Sequence, residues 1–68
     1  MRVVLNGERR ELDDGATVRA AVDAAGVPTE GRGVAVALDG EVVPRGRWDD
    51  VALHEGQRVE VVRAVQGG

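Results

Sequence analysis

Arg58-Val59-Glu60-Val61-Val62-Arg63-Ala64-Val65-Gln66-Gly67-Gly68 closes the 68-residue sequence, and the fold turns on how this stretch is read. Arg58 to Val65 is rich in β-branched side chains and reads as a strand. Val59 and Val61 share one face with Glu60 opposite, after which Val62, Ala64 and Val65 break the alternation. A strand that is apolar on both faces belongs at the centre of its sheet. The two last residues, Gly67 and Gly68, have no Cβ, so their backbone can thread a narrow channel and lie close to another protein's site. The Gly68 carbonyl has no side chain to block a nucleophile, and no stereocentre to racemise once activated. The sequence thus predicts a folded body over residues 1–65 and a flexible tail over 66–68; the tail reads either as a presented carboxylate, Gly68, threaded by way of Gly67 and Gln66, or as an ordinary frayed chain end.

Outward from that strand, two hairpins are written in the turn dipeptides. Val34 to Leu38 reads as a strand with Val34, Val36 and Leu38 on one face and Ala35 and Ala37 on the other. Asp39-Gly40 turns it, Glu41-Val42-Val43 returns, and Pro44 ends the pair. At the other end, Arg2 to Leu5 and Glu8 to Leu12 flank Asn6-Gly7, whose residues tolerate φ > 0. The polarity of Glu8-Arg9-Arg10-Glu11 marks an edge strand protected against sheet-to-sheet pairing, with Leu12 pointing inward.

Between the hairpins lies one helix signal. Val18, Ala21, Val22 and Ala25 recur at i, i+3, i+4 and i+7. Thr17 precedes them as an N-cap, its hydroxyl expected to accept from a first-turn N–H. Gly26 and Pro28 supply the stop, with Val27 folding back on Val22. Gly31-Arg32-Gly33 is not a phosphate cradle, because no strand precedes it and no helix follows. Arg45 to Asp50 reads as a polar connection carrying Trp48, the sole aromatic residue, expected to cover an open end of the core with its indole N–H on a partner. Val51-Ala52-Leu53 closes the core, and His54 belongs to a surface turn.

One helix covers one face of a sheet, so the class is α+β: a mixed five-stranded sheet with one main helix on one face. First and last strands lie side by side at the centre, parallel, with the helix in the crossover. The other face stays partly uncovered. Val4, Val43, Val62 and Ala64, with Val65, are expected to form an apolar docking patch there at the base of the tail.

Composition narrows the function further. The net charge is −3 with both signs scattered, which excludes the clustered basic footprint of a nucleic-acid binder. There is no apolar run long enough for a membrane span and no signal-peptide core, so the expected location is cytoplasmic. All nine basic residues are Arg, so no side-chain amine can receive an isopeptide. There is no cysteine, so a sulfur atom could be carried only at the C-terminal carbonyl, as a thiocarboxylate. No catalytic set and no phosphate loop is present, so the chain is expected to be acted on by enzymes and not to be one, with no metal or cofactor of its own.

The β-β-α-β-β-β order with a Gly-Gly end resembles the β-grasp, or ubiquitin-like, fold. Val3-Val4-Leu5-Asn6-Gly7-Glu8, the block Asp39-Gly40-Glu41-Val42-Val43-Pro44-Arg45 with Trp48, Glu55-Gly56-Gln57-Arg58-Val59-Glu60 and the terminal Gly67-Gly68 together resemble the ThiS family of sulfur carriers in thiamin biosynthesis. Gln66 departs from the glycine common at that place. The resemblance implies that an E1-like adenylyltransferase of the ThiF type, using its own ATP and Mg²⁺, activates Gly68. It implies that cysteine-derived sulfur then replaces AMP, and that thiazole synthase (ThiG-like) receives it. The nearest alternative is a MoaD-like carrier for molybdopterin or another sulfur-containing product, though such chains are longer. A ubiquitin-like protein modifier and a non-catalytic β-grasp interaction module are the other classes.

Overall fold

Two tight hairpins flank a central strand. The computed structural model describes residues 1–27 and 32–63. In order they form β1 (Arg2–Leu5), β2 (Glu8–Glu11), α1 (Val18–Ala24), β3 (Val34–Leu38), β4 (Glu41–Val43), a 3-10 turn (Arg45–Arg47) and β5 (Arg58–Arg63). The sheet has five strands in the order β2-β1-β5-β3-β4, so β5 sits at the centre as its composition predicts. β1 and β5 pair in parallel through Val4↔Arg58 and Leu5↔Val59, and the other neighbours are antiparallel.

Both hairpin turns hold their first two residues at positive φ: Asn6 at 49° and Gly7 at 83°, Asp39 at 48° and Gly40 at 88°. That twist matches the right-handed twist of the flanking strands, and Asn, Asp and Gly adopt it at the least cost. Leu12 falls just beyond β2 and packs half-buried against the core.

The core lies between α1 and one face of the sheet. Val3 and Leu5 of β1, Val36 of β3, Val43 of β4, and Val59 and Val61 of β5 meet Val18, Ala21 and Val22 of the helix. Each fully buried valine contributes roughly 1.5–3 kcal/mol by leaving water. Trp48 is fully buried, so it fills the core and does not merely rim it. Its indole N–H donates to the Val43 carbonyl at 2.9 Å. The Arg19 guanidinium lies 5.3 Å from its ring centre and pairs with Asp49 at 3.1 Å.

The helix start departs from expectation. Thr17 stands at the N-cap with extended backbone, but its hydroxyl makes no capping hydrogen bond. The first-turn N–H groups are satisfied by the main chain: Val18 donates to the Val51 carbonyl at 2.9 Å, Arg19 to Trp48 at 3.0 Å and Ala20 to Thr17 at 2.9 Å. The connection after the 3-10 turn thus docks on the helix end and does the work of a cap. Leu53 completes the seam by donating to the Ala16 carbonyl at 2.9 Å. At the other end Gly26, at φ 74°, terminates the helix, and Val27 packs against the core.

Candidate functional site on the open sheet face

Strand parity decides what the uncovered face presents. In β5, Val59 and Val61 point to the helix, which leaves Arg58, Glu60 and Val62 on the open side. In β3 the open-side residues are Ala35 and Ala37, and in β1 Val4. Register joins them into rows: Val42 opposite Ala37, Ala37 opposite Glu60, Ala35 opposite Val62. Val42, Ala37, Ala35 and Val62 form an apolar diagonal that crosses β4, β3 and β5 and ends at Val62, one residue before the end of β5. Val42 is 75% exposed and Val62 58%, the two large hydrophobic side chains left in water among the described residues. The small alanines between them keep the diagonal flat and open to a partner surface.

The β1–β2 half of the same face is charged. Val4, half-buried, stands in a row between Arg9 of β2 and Arg58 of β5. Arg2 and Glu11 pair beside it at 3.3 Å. A shallow hollow lined by Val4, Asn6, Gly7, Arg58, Glu60 and Val62 joins the two halves next to the root of the tail.

The expected docking residues divide accordingly. Val4 and Val62 are on the open face. Val43 is not: it lies in the core at 9% exposure, and its carbonyl receives the Trp48 indole N–H. The two-residue turn at Asp39-Gly40 places Val36 opposite Val43, so both point to the helix and Val42 takes the open side. Ala64, Val65, Gln66, Gly67 and Gly68 lie outside the described residues. His54 is exposed in its turn, where its N–H donates to the Gln57 side chain at 2.6 Å. Among the described residues no group of three or more His, Asp or Glu is arranged to hold a metal. No helix there is long and apolar enough to cross a membrane.

Two residues that hold the central strand are legible in the sequence only as turn formers. The Asn6 carboxamide accepts from the Val61 N–H at 2.8 Å and donates to the Val61 carbonyl at 3.2 Å. Asp39 accepts from the Arg58 N–H at 3.0 Å, while its own N–H donates to the Arg58 carbonyl at 2.8 Å. Each hairpin turn therefore grips the central strand, one near its start and one near its end.

A mixed five-stranded sheet that grasps one helix, with its central strand leading to the C-terminal residues, defines a β-grasp protein of the ubiquitin-like class. Within that class the chain belongs to the ThiS family, whose model matches residues 3–68. It superposes on the crystal structure of a thiamine biosynthesis protein (ThiS) from Geobacter metallireducens with a TM-score of 0.79, 28% identity and full coverage of both chains. The solution structure of a thiamine biosynthesis protein from the same organism gives 0.77 at 28% identity, covering all of this chain and 88% of that one. A thiazole synthase of Paramagnetospirillum magneticum is 37% identical over all 68 residues, and the chain spans 20% of that relative's length.

Proposed function

We propose that the chain is the sulfur carrier of thiamine biosynthesis, a co-substrate that partner enzymes activate, load and unload. The observation that carries this reading is the family match, which runs through Gly68 and so includes the tail as well as the body. The geometry suits it. The central strand is the element that precedes the Gly-Gly end in sequence, and an apolar diagonal beside the strand's end supplies a place for an enzyme to hold.

In this reading the Gly68 carboxylate attacks the α-phosphate of ATP bound by a ThiF-like adenylyltransferase. Pyrophosphate leaves, and an acyl-adenylate forms. A cysteine-derived persulfide adds to that carbonyl and AMP departs, leaving an acyl disulfide; a second thiol of the donor system attacks the donor's sulfur, forms a disulfide with it and releases the thiocarboxylate. ATP and Mg²⁺ are the partner's substrates. Gly67 gives the tail clearance, and Gln66 is the one bulky residue near its tip. The body contributes docking: Val42 and Val62 at the ends of the diagonal, with Val4 on its charged flank and Ala64 and Val65 leading into the tail. A ThiG-like thiazole synthase then takes the sulfur; the thiazole synthase relative supports that assignment. The need for ATP supports the cytoplasm as the site of the reaction.

The test is the intact mass of the chain after incubation with ATP, a ThiF-like enzyme and a sulfur source. The expected gain matches replacement of one oxygen by sulfur and maps to Gly68. An unchanged mass, with the enzyme proven active on another carrier, would overturn the assignment.

A further inference from the structure

The parallel pairing of β1 with β5 stops early. Its last pair is Leu5↔Val59, and the Asn6 N–H still reaches the Val59 carbonyl at 2.9 Å. There the chain turns away through Asn6-Gly7 towards β2. Val61 therefore lies beyond the end of β1, and on that side β5 has no strand to pair with among the described residues. The Asn6 side chain takes the place of the missing rung. Its Oδ1 accepts from the Val61 N–H at 2.8 Å and its Nδ2 donates to the Val61 carbonyl at 3.2 Å. A carboxamide offers one donor and one acceptor side by side, as a peptide group does, so it can close both contacts at once. Val61 is the last buried residue of β5 and stands two residues before the strand's end at Arg63.

We propose that Asn6 is a positioning residue for the activation reaction: by clamping Val61 it fixes the direction in which β5 delivers the tail. The inference rests on the carrier reading for its consequence and on the hydrogen bonds for its geometry. The role assigned to Asn6 is exerted through β5 and not on the reacting carboxylate. It acts by holding most molecules in the one orientation that an activating enzyme binds. Loss of the clamp lowers that fraction, and apparent affinity falls in proportion while the chemical step on correctly bound carrier stays the same.

Asp39 provides an internal control. It holds the same position in a like turn, at nearly the same φ (48° against 49°), and it grips the same strand, but at Arg58, the end far from the tail. Asn6→Gly and Asp39→Gly each keep the turn, because glycine adopts positive φ freely, and each deletes one clamp.

The experiment compares these two variants with the wild type in steady-state adenylation by a ThiF-like enzyme, and in amide hydrogen exchange at Val61. Asn6→Gly is expected to raise the carrier's KM about fivefold with kcat within about twofold, and to speed Val61 exchange by roughly tenfold. Asp39→Gly is expected to change both by less than about twofold. Equal KM values for the two variants, or Val61 exchange no faster in Asn6→Gly than in Asp39→Gly, would overturn the proposal. Failure of the wild type to be adenylated at all would overturn the carrier reading instead; the exchange comparison would then decide the clamp alone.

Discussion

At Met1 the amino group donates to the Leu12 carbonyl at 2.7 Å and to Asp14 Oδ1 at 3.1 Å, with Glu11 at 3.8 Å. The Asp14 hydrogen bond, aided by the charges of Asp14, Glu11 and Glu55, outweighs desolvation and raises the pKa of this ammonium above its ordinary 8.0. A raised folded-state pKa means that the charged form is favoured by folding. Its stabilisation is complete below pH 8.0, the unfolded value, and is lost as pH climbs through the folded one. The chain has no Lys, Tyr or Cys, so no such side chain obscures that window. With a free amino group at Met1, the urea midpoint is expected to fall between pH 7 and 10, and Asp14→Asn to flatten the fall. The single Trp48 reports the transition by fluorescence. Thr17 gives a second expectation at this scale. Removing an N-cap hydroxyl ordinarily costs about 1 kcal/mol. Here the first-turn N–H groups are held by main-chain carbonyls of Val51 and Trp48, so Thr17→Ala is expected to cost less than about 0.5 kcal/mol in the same urea assay.

At the scale of the elements, β4 offers the sharpest contrast, because two neighbouring valines face opposite ways. Val43→Asp puts a carboxylate into the core and is expected to remove several kcal/mol, most of the stability of a domain this small. Val42→Asp changes a side chain that is already in water. It is expected to leave the urea midpoint within about 0.5 kcal/mol and to weaken binding to the activating enzyme, measured by titration calorimetry. Unaltered affinity for both Val42→Asp and Val62→Asp would remove the diagonal as a docking surface. The sequence already contained the correct parity. A two-residue turn at Asp39-Gly40 pairs Leu38 with Glu41, hence Val36 with Val43, and Val36 reads as inward. Periodicity and turn chemistry likewise placed β1, β3, the helix and the central position of β5. What remained hidden has a different physical origin. That Asn6 and Asp39 clamp β5, and that a connection some thirty residues downstream caps the helix, are contacts between distant segments; local propensity carries no record of them.

At the scale of the whole molecule, the carrier reading separates the docking surface from the group that reacts. The core among the described residues runs from Val3 to Val61 and draws on every strand with buried residues, on the helix and on Trp48. Gly67 and Gly68 follow that core in sequence, and glycine has no side chain to add to it. Deleting them is therefore expected to leave the urea midpoint and the emission of buried Trp48 unchanged, while abolishing thiocarboxylate formation. A further consequence follows if the diagonal from Val42 to Val62 supplies much of the binding. The truncated chain then still occupies the activating enzyme, and it competes with the intact carrier. It is expected to inhibit adenylation competitively, with a Ki no more than about tenfold above the carrier's KM, since tenfold is the loss of only about 1.4 kcal/mol of contact. Adding Val62→Asp to the truncated chain should abolish the inhibition. A truncated chain that folds but does not inhibit would assign recognition to the tail itself and leave the open face without a part in activation.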